Sequence, residues 1–361
     1  MTGGTHPLQT LGTLTALDAA LAQLRALAQQ LPAQRVTLDA ALGAVLAQDV
    51  HASTELPSSS RALRDGYALS AQEIVGASSY SPVMLMEAPQ RVSVGDALPA
   101  GCDCVLDVQS LDLSGPVVQV MMEAAPGDGI RRAGEDAAAR NLLIGKGERL
   151  TTRHLAILRA ADVNDIEIRR PRIALLNHGE ARVSLQMITT YLQTFGAHVA
   201  EVASLETEAD LIITLGGTGE GVTDHTIHDL RAQCTLLCHG IACAPARSMA
   251  LAHLDSVPVV ALPGSLIDAM AGWYLLIKPL LMEICAARPV EGLRLPLAQK
   301  LASRVGVTEL VLLKRAADQF VPLSLGDMPL RLMAEATHIC SLHAASEGHA
   351  AGEMIEAFPF E

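Results

Sequence analysis

Aromatic residues are scarce in this chain of 361 residues, which has one Trp, four Tyr and four Phe although half of its residues are hydrophobic. Its cores must therefore be filled mainly by Leu, Val, Ile and Ala, which suits helices and buried parallel sheets. The chain is also too long for one compact core, and it is expected to form roughly two to four domains. We predict an α/β multidomain fold.

Long hydrophobic runs are missing as well. The longest apolar stretch, Met270 to Ile277, is followed at once by Lys278 and Pro279. It is much shorter than the ~20 residues that a helix needs to cross a bilayer. The first residues also lack the basic start and apolar core of a secretory signal. We therefore expect a cytoplasmic protein with no membrane partner.

Positive charge is in short supply, because 26 Lys and Arg against 39 Asp and Glu give a net charge of −13. Nucleic acid is excluded as the main partner, since neutralising its phosphates requires an excess of cations on one face. An anionic ligand would have to be held by local groups of cations. The candidate pairs are Arg131 with Arg132, Arg61 with Arg64, and Lys146 with Arg149. For each pair taken alone, solvated loop charge is the favoured interpretation, and only pairs brought together in space would indicate an anion site.

The seven cysteines are scattered through a chain without a secretory signal, so they are expected to be reduced thiols. Cys234, Cys238, His239 and Cys243 are near enough in sequence to be considered as a zinc site. They lack the closely spaced pairs from two turns that a closed zinc site normally uses. The simpler interpretation is that these cysteines are small buried hydrophobic residues. The sequence leaves both interpretations open.

Hydrophobic periodicity predicts the local structure of the first half of the chain. It indicates one helix from about Thr15 to Pro32, a second and shorter helix from Thr37 to Leu46, and a strand from Val50 to Leu56. Short alternating segments interrupted by Pro and Gly follow between residues 80 and 120. They predict an inserted β module.

The pattern changes after residues 170–172, which read as a hinge. Buried strands are predicted at 173–176, 199–203, 211–214 and 257–262, with helices at 183–195 and 266–287. Strands that alternate with helices predict a parallel sheet with helices on both faces. Ligands of such sheets bind at the carboxyl ends of the strands. Segments 177–180, 216–221 and 263–265 should therefore share one edge of the sheet.

These patterns divide the chain into four predicted domains. Residues 1–55 with 125–170 would form a dimerisation and linker domain, which combines helices and strands. Residues 56–124 would form an inserted, lid-like β domain. Residues 171–289 would form a three-layer αβα domain that binds the ligand, and residues 290–361 a small C-terminal β domain.

A glycine-rich loop at 216–221 is the clearest binding signal in the sequence. Its glycines allow backbone N–H groups to approach a phosphate, and a helix starting near Thr223 would direct its positive end at the same anion. The loop matches neither a Walker loop nor a dinucleotide fingerprint. Asp224 is placed to hold magnesium or to bond a pterin-like amide edge. It could equally be an ordinary charge at a helix N-terminus.

Five segments resemble, in the same order, those of the molybdopterin molybdenumtransferase family, which includes the C-terminal domain of gephyrin. They are residues 57–68 with their Asp-Gly-Tyr-Ala end, the turn at 95–103, the Arg-Ala-Gly-Glu-Asp at 132–136, the glycine loop at 216–221, and the Leu-Pro-Gly at 262–264. The resemblance extends from the first predicted helix to the last domain.

The resemblance implies an enzyme that inserts molybdate into adenylylated molybdopterin and releases AMP. It implies Mg²⁺ as cofactor, molybdate and molybdopterin as substrates, and a molybdoenzyme as a further candidate partner. It also implies a homodimer, with each site formed between the molybdopterin-binding domain of one chain and the Asp-Gly-Tyr region of the other.

The resemblance also assigns roles to individual residues of this sequence. The implied catalytic residues are Asp65, Asp136 and Arg64, and the implied metal ligands are Asp65, Asp136 and Asp224. The implied ligands of molybdate or other anions are Arg131, Arg132, Arg247 and Ser248. The implied molybdopterin ligands are Thr214, Gly216, Gly217, Gly219, Gly221, Asp224, Gly179, Glu180, Pro263, Gly264 and Ser265.

Several positions depart from the family pattern. The Lys-Pro-Gly-Lys-Pro element appears here as Ala-Pro-Ala-Arg-Ser at 244–248, so Arg247 is the one cation left of two. A Ser/Thr-Gly-Asp-Glu-Leu turn has become His-Gly-Glu-Ala-Arg at 178–182, and Gly219 replaces a serine in the glycine loop. Either Arg182 or Arg247 could replace the lost charge.

These departures leave two hypotheses, because each missing contact to a transferring group costs ~2–4 kcal/mol of transition-state stabilisation. The first is a working molybdenumtransferase. The second is a catalytically impaired paralogue that binds molybdopterin or molybdenum cofactor for delivery or sensing. A purely structural scaffold has no sequence feature to support it.

Overall fold

The computed structural model describes residues 9–179 and 181–361. The chain forms two compact units. The larger unit comprises the described residues up to Gln48, residues 146–155 and residues 164–361. The smaller unit comprises residues 49–145 and 156–163. No helix in the described ranges is both long enough and apolar enough to cross a membrane.

The α-helices of the described residues, in chain order, are α1 Leu17–Leu27, α2 Thr152–Ala160, α3 Arg182–Thr194, α4 Thr226–Gln233, α5 Leu266–Gly272, α6 Lys278–Ile284 and α7 Leu330–Glu335. A π-helical segment, Trp273–Ile277, joins α5 to α6. Short 3-10 turns occupy Leu38–Ala40, Ala71–Ile74 and Val108–Ser110.

The strands of the first half are β1 Gln34–Thr37, β2 Val45–Leu46, β3 Val50–His51, β4 Arg61–Ala62, β5 Gly66–Leu69, β6 Val83–Leu85, β7 Arg91–Val92, β8 Cys104–Asp107, β9 Leu111–Asp112, β10 Val118–Val120, β11 Ile130–Arg131, β12 Leu142–Ile144 and β13 Asp165–Arg169. The strands of the second half are β14 Arg172–Asn177, β15 His198–Val202, β16 Leu211–Leu215, β17 Thr235–His239, β18 Cys243–Ala244, β19 Ala250–Leu254, β20 Val257–Leu262, β21 Leu293–Pro296, β22 Leu301–Ala302, β23 Thr308–Ala316, β24 Gln319–Leu325, β25 His338–Leu342, β26 Gly348–His349 and β27 Met354–Pro359.

The central sheet of the larger unit has the strand order β15-β14-β16-β20-β19-β17. Side chains alternate between its two faces, as the period of a strand requires. Ile173 and Leu175 of β14 pack with α3 and α5 on one face, whereas Ala174 and Leu176 pack with α4 on the other. The sheet is therefore the middle of three layers, which confirms the predicted α/β class.

The prediction that this whole sheet is parallel is wrong. Strands β14, β15, β16 and β20 pair in parallel, but β19 is antiparallel to both β20 and β17. Strand β19 reads Ala-Leu-Ala-His-Leu, without the β-branched residues that mark strands in a sequence. Its pairing with two neighbours decides its structure.

The predicted helix from Thr37 to Leu46 is also wrong. Strand β1 and strand β2 both pair with β13, and only the 3-10 turn Leu38–Ala40 is helical between them. Pairing with a segment more than 100 residues away overrides the local helical spacing. The predicted strand from Val50 to Leu56 is limited to Val50–His51, and the first helix begins at Leu17 and ends at Leu27.

A second sheet of the larger unit positions one of the loops described below. Its order is β18-β23-β25-β27-β21, and β24 pairs with β23. Strand β18 runs parallel to the start of β23, with Cys243 opposite Thr308 and Ala244 opposite Glu309. The loop that follows β18 is therefore anchored to the C-terminal sheet at one end and to β19 of the central sheet at the other.

The smaller unit is built from short strands. Strand β5 pairs with β7 and β8, and its Tyr67 and Leu69 pack with Cys104 and Leu106 in a buried core. Strand β4 pairs with β11. These strands position the candidate acidic and basic residues of this unit, which lie just before β5, in β11 or just after β11.

Candidate functional site

Three loops meet at the carboxyl ends of the central strands. The loop after β14 contacts the glycine loop after β16, because the His178 N–H donates to the Leu215 carbonyl over 2.7 Å. The glycine loop contacts the end of β20, because the Gly216 N–H donates to the Leu262 carbonyl over 2.9 Å. The Ser184 hydroxyl of α3 donates to the Gly264 carbonyl over 2.8 Å. The shared edge predicted from the strand order is therefore present.

A cleft of about 810 Å³ opens at this edge. Five of the predicted ligand residues line it, namely Gly179, Gly216, Gly217, Asp224 and Gly264. His178 also lines the cleft; its position directly after a buried strand placed it at this edge in the sequence, without a role as ligand. Four further lining residues were not identified as ligands from the sequence, namely Thr223, His225, Thr226 and Asp229.

Other predicted ligands lie elsewhere. Thr214 is fully buried in β16 and its hydroxyl has no hydrogen-bond partner, and Pro263 is buried as well. Ser265 is exposed and caps α5, where its hydroxyl oxygen accepts the Asp268 N–H over 3.2 Å. Gly219 and Gly221 lie beyond the lining of the cleft. Glu180 lies outside the described residues.

The first two glycines of the loop have no room for a side chain. Gly216 has φ +91°, and a Cβ atom there would lie 2.3 Å from the His178 carbonyl oxygen. Gly217 has φ +68°, and a Cβ atom there would lie 2.4 Å from the Thr226 hydroxyl oxygen. That hydroxyl donates to the Gly216 carbonyl over 2.6 Å. The loop backbone therefore lies so close to the end of β14 and to the start of α4 that only glycine fits at these two positions.

Asp224 shapes the second half of the glycine loop. Its Oδ2 accepts the Gly221 N–H over 2.8 Å. A Cβ atom added at Gly219 would lie 2.7 Å from the same oxygen, and one added at Gly221 would lie 2.9 Å from it. The carboxylate therefore folds the loop back toward α4 and at the same time lines the cleft.

A smaller cavity of about 390 Å³ adjoins the far half of the glycine loop. It is lined by Leu11, Gly219, Glu220, Cys243, Ala244, Pro245, Ala246, Arg247, Ser248 and Asp268. The two predicted anion ligands of the larger unit, Arg247 and Ser248, are both among these residues. Arg182 is an exposed residue at the start of α3 and lines neither cavity. Of the two candidate arginines, Arg247 is therefore the one that could supply positive charge to the smaller cavity.

Asp268 organises the loop of the smaller cavity. Its Oδ1 accepts the Ala246 N–H over 2.7 Å, and its Oδ2 accepts the Ser265 hydroxyl over 2.6 Å. Ala246 has φ +75°, a left-handed conformation that costs a non-glycine residue ~1–2 kcal/mol. This alanine stands at the glycine of the family's Lys-Pro-Gly-Lys-Pro element. The loop therefore keeps the backbone shape of a glycine turn with an alanine in it.

A short polar contact links the glycine loop to the loop of the smaller cavity. The Thr218 and Ser248 hydroxyl oxygens lie 3.2 Å apart, and the His239 Nε2 lies 2.9 Å from the Thr218 carbonyl oxygen. The glycine loop, from Gly216 to Glu220, thus lines the larger cleft with its first residues and the smaller cavity with its last.

Burial shifts the pKa of one histidine and three cysteines of this region in the direction that favours their neutral forms. Burial lowers the pKa of His178, and the charge of Asp229 opposes this shift. Burial raises the pKa of Cys234 and Cys238, and burial with the nearby charge of Asp268 raises that of Cys243 to about 12. Zinc ligation requires thiolates. Among the described residues no group of three His, Cys, Asp or Glu is placed to hold a metal ion. Cys238 and Cys243 are buried, whereas Cys234 is half-buried.

In the smaller unit, the Asp-Gly-Tyr-Ala segment is mostly structural. A Cβ atom at Gly66 would lie 2.0 Å from the Leu106 carbonyl oxygen, and Tyr67 and Ala68 are buried. Asp65 is exposed, and its Oδ1 accepts the Val94 N–H over 2.8 Å. Of these four residues, Asp65 is therefore the one that is exposed and can contact a ligand.

Two candidate arginines of the smaller unit, Arg64 and Arg131, are paired with carboxylates. Arg64 lies 2.6 Å from Asp128 and 3.7 Å from Asp107. Arg131 lies 3.5 Å from Asp136 and 3.5 Å from Glu135. These pairs are partly exposed, and exposed ion pairs contribute little free energy. Each arginine could therefore give up its carboxylate partner for a phosphate at a small cost in free energy.

Arg132 lines a third cavity, of about 430 Å³, with Gly127, Gly134 and Glu135 among its neighbours. Its guanidinium donates to the Pro126 carbonyl over 2.7 Å. Asp65, Asp136 and the arginines belong to the smaller unit, whereas Asp224, Arg247 and Ser248 belong to the larger one.

Two models of known protein families match this chain. Residues 15–161 match the family model described as the MoeA N-terminal region (domain I and II). Residues 177–283 match the model described as a probable molybdopterin binding domain. Together the two models include the three loops, the smaller cavity's Arg247 and Ser248, and the Asp-Gly-Tyr-Ala segment.

Individual relatives are distant but extensive. Molybdopterin molybdenumtransferase 2 of Mycobacterium tuberculosis is 26% identical over 297 residues, which cover 68% of this chain and 73% of that protein. Molybdopterin molybdenumtransferase of Synechococcus elongatus is 26% identical over 399 residues, which cover 94% of this chain and 98% of that protein. The crystal structure of molybdopterin biosynthesis moeA protein from Pyrococcus horikoshii aligns with a TM-score of 0.66 and 20% identity, covering 96% of this chain and 99% of that one.

Proposed function

Because this chain belongs to the molybdopterin molybdenumtransferase family as a divergent member, we propose that it inserts molybdate into adenylylated molybdopterin with release of AMP. The observation that carries the proposal is the glycine loop, which lines a cleft of about 810 Å³ on one side and a cavity of about 390 Å³ containing Arg247 on the other. A ligand bound along the loop would have its phosphate end near the cation of the smaller cavity.

The pterin and its phosphate would bind along the glycine loop. Gly216 and Gly217 hold the backbone against Thr226 without a side chain in the way, and backbone N–H groups together with the N-terminus of α4 favour an anion. Asp224 would accept hydrogen bonds from the amide edge of the pterin, since its other contact is the Gly221 N–H. Gly179 and Gly264 would form the opposite wall.

Molybdate, as a substrate, would bind in the smaller cavity. Arg247 supplies the positive charge and Ser248 a hydroxyl, both on the loop that Asp268 fixes. A charge-assisted hydrogen bond from a guanidinium to an oxyanion is about twice as strong as a neutral one. This single arginine would therefore carry most of the affinity that the family's two lysines share.

The phosphoanhydride would be cleaved with residues of the smaller unit. Water would attack one phosphorus of the anhydride as the bond from the bridging oxygen to that phosphorus breaks, so that AMP leaves with one phosphate and molybdopterin keeps the other. Asp65 and Asp136 would orient water or metal. Arg64 and Arg131 would neutralise the phosphates after exchanging their present carboxylate partners, and Arg132 would do so after leaving the Pro126 carbonyl. We propose that these residues come from the second chain of a homodimer, as the family resemblance implies.

Magnesium is part of the proposal. No preassembled group of three ligands exists among the described residues, but Mg²⁺ commonly binds through one or two carboxylates together with substrate phosphates. Asp65, Asp136 and Asp224 are the residues that would hold it. The ion would neutralise charge on the departing phosphate. A cytoplasmic location and a molybdoenzyme recipient complete the proposal.

The alternative, a paralogue that only binds the cofactor, is not favoured. Two relatives that match 68% and 94% of this chain carry the name of the transferase. The described structure also keeps an arginine in the smaller cavity and an exposed Asp65. Binding without turnover remains the outcome that would revive this alternative.

Replacing Arg247 by glutamine tests the molybdate assignment. We expect the KM for molybdate to rise about 10- to 100-fold, because a hydrogen bond to a charged group is worth ~1.5–3 kcal/mol. The KM for adenylylated molybdopterin should change less than threefold. The measurement is steady-state AMP release as each substrate is varied.

The matched control is Arg182→Gln, which removes an exposed arginine that lines neither cavity. Equal effects of the two substitutions on the molybdate KM would contradict the assignment and indicate that only the overall charge matters.

A further inference from the structure

Gln9 makes three hydrogen bonds to a part of the chain more than 200 residues away. Its Nε2 donates to the Gly217 carbonyl over 2.7 Å and to the Gly219 carbonyl over 2.5 Å. Its Oε1 accepts the Ile227 N–H over 3.2 Å. The side chain is only 7% exposed, so the amide has exchanged water for these three partners. A second contact, from the Leu11 N–H to the Glu220 carboxylate over 2.8 Å, lies beside it.

These bonds determine which way the loop peptides face. In a trans peptide the C=O and the following N–H point in opposite directions. Since Gln9 binds the carbonyls of Gly217 and Gly219, the N–H groups of Thr218 and Glu220 point away from Gln9. The Gly217 carbonyl also accepts the Thr226 N–H over 3.1 Å, whereas the Gly219 carbonyl is held by Gln9, and the glycine backbone there is intrinsically free to rotate. The loop is thus set with carbonyls on one side and N–H groups on the other.

Gln9 also completes the start of α4. The residue before that helix, His225, makes no side-chain cap bond, and an uncapped helix leaves its first N–H groups unsatisfied. The Ile227 N–H that Gln9 accepts is one of them. One side chain therefore ties the glycine loop and the first turn of α4 into a single arrangement.

We propose that Gln9 is a positioning residue of the molybdopterin site, holding the glycine loop in the orientation that presents N–H groups to the anionic ligand. This inference rests on the proposed function, because it concerns the same loop. Gln9 acts through the backbone of Gly217 and Gly219. No sequence signal marks it, since its partners lie 208 and 210 positions away.

Two substitutions separate hydrogen bonding from bulk. Gln9→Met keeps the length of the side chain and removes all three bonds. Gln9→Glu keeps an acceptor for the Ile227 N–H but replaces the donor by a carboxylate that faces two carbonyl oxygens. We expect the KM for adenylylated molybdopterin to rise roughly tenfold for Met and more for Glu, with kcat within threefold, because the loop holds a part of the substrate that does not react.

The control is Gln193→Met, on the exposed side of α3, which should leave both constants unchanged. The second readout is hydrogen exchange of residues 216–224 in the ligand-free protein, which should be at least tenfold faster in both Gln9 variants. A merely structural role would instead reduce the folded fraction and lower kcat with an unchanged KM, and that result would overturn the inference.

An unchanged KM and an unchanged exchange rate would also overturn it. If the native chain released no AMP, the proposed function would fail, and the exchange rates of the loop would still decide whether Gln9 holds it. Faster exchange in the two Gln9 variants would then support the positioning role, and equal exchange would reject it.

Discussion

The Gly216→Ala substitution is expected to destabilise the larger unit by about 2–5 kcal/mol and to reduce AMP release more than 100-fold. The new Cβ atom would lie 2.3 Å from the His178 carbonyl oxygen, and φ at this position is +91°. Left-handed backbone costs alanine ~1–2 kcal/mol, and an overpacked site adds ~1–3 kcal/mol. Because the clash is with backbone at the end of β14, relief requires separating two of the three loops that form the cleft.

A control substitution separates the effect of the steric clash from the effect of the left-handed backbone conformation. Gly352 has φ +84°, and nothing lies within 4 Å of a Cβ atom there. Gly352→Ala should therefore cost only ~1–2 kcal/mol and leave AMP release unchanged. Urea unfolding measures the first quantity and initial rates of the folded protein the second. Equal losses in the two variants would show that the contact between the His178 and Gly216 loops does not limit the site.

The Asp65→Asn substitution is expected to lower kcat about 100- to 1,000-fold while the affinity for molybdopterin changes less than threefold. The Asp65 Oδ1 accepts the Val94 N–H over 2.8 Å, and the amide oxygen of asparagine can accept the same bond. The substitution therefore removes the charge and leaves the local fold. Losing one preorganised group aimed at developing charge typically costs ~2.7–4 kcal/mol.

Asp112→Asn is the control for Asp65→Asn. Asp112 lies in the same unit and also accepts a backbone N–H, from Ser114 over 2.9 Å, but it lies outside the segments that resemble the family. Titration of both variants with molybdopterin separates binding from turnover. A fall in affinity that matches the fall in rate would assign Asp65 to substrate binding and contradict its role in cleaving the anhydride.

The part of the site made by strand ends could be predicted from the sequence. Strand β14 is a run of buried apolar residues, and strand β16 runs directly into Gly216. The carboxyl ends of parallel strands meet at one edge, so the three loops follow from strand order alone. The antiparallel β19 did not disturb this result, because it lies on the other side of β20 from β16.

The contacts that lock the loops could not be predicted. Gln9 reaches the glycine loop across 208 positions, and Asp268 reaches Ala246 across 22. Neither residue type has a local pattern that specifies its partner. The Thr226 hydroxyl likewise binds the Gly216 carbonyl only because α4 starts there, and the sequence placed the start of this helix near Thr223. Such bonds depend on tertiary packing, which overrides local propensity.

The sequence also did not distinguish ligand-facing residues from structural ones within a motif. Gly66, Tyr67 and Ala68 of the Asp-Gly-Tyr-Ala segment are buried, and only Asp65 is exposed. Thr214 belongs to the apolar run of β16 and is fully buried. Motif membership locates a region, whereas exposure decides which of its side chains can contact a substrate.

AMP release from adenylylated molybdopterin by the native chain with Mg²⁺, measured with and without molybdate, decides between an enzyme and a binding protein. We expect molybdate to accelerate AMP release and one molybdenum-containing cofactor to form for each AMP released. Tight binding of adenylylated molybdopterin with no AMP released at saturating molybdate would contradict this expectation and identify the chain as a cofactor-binding protein.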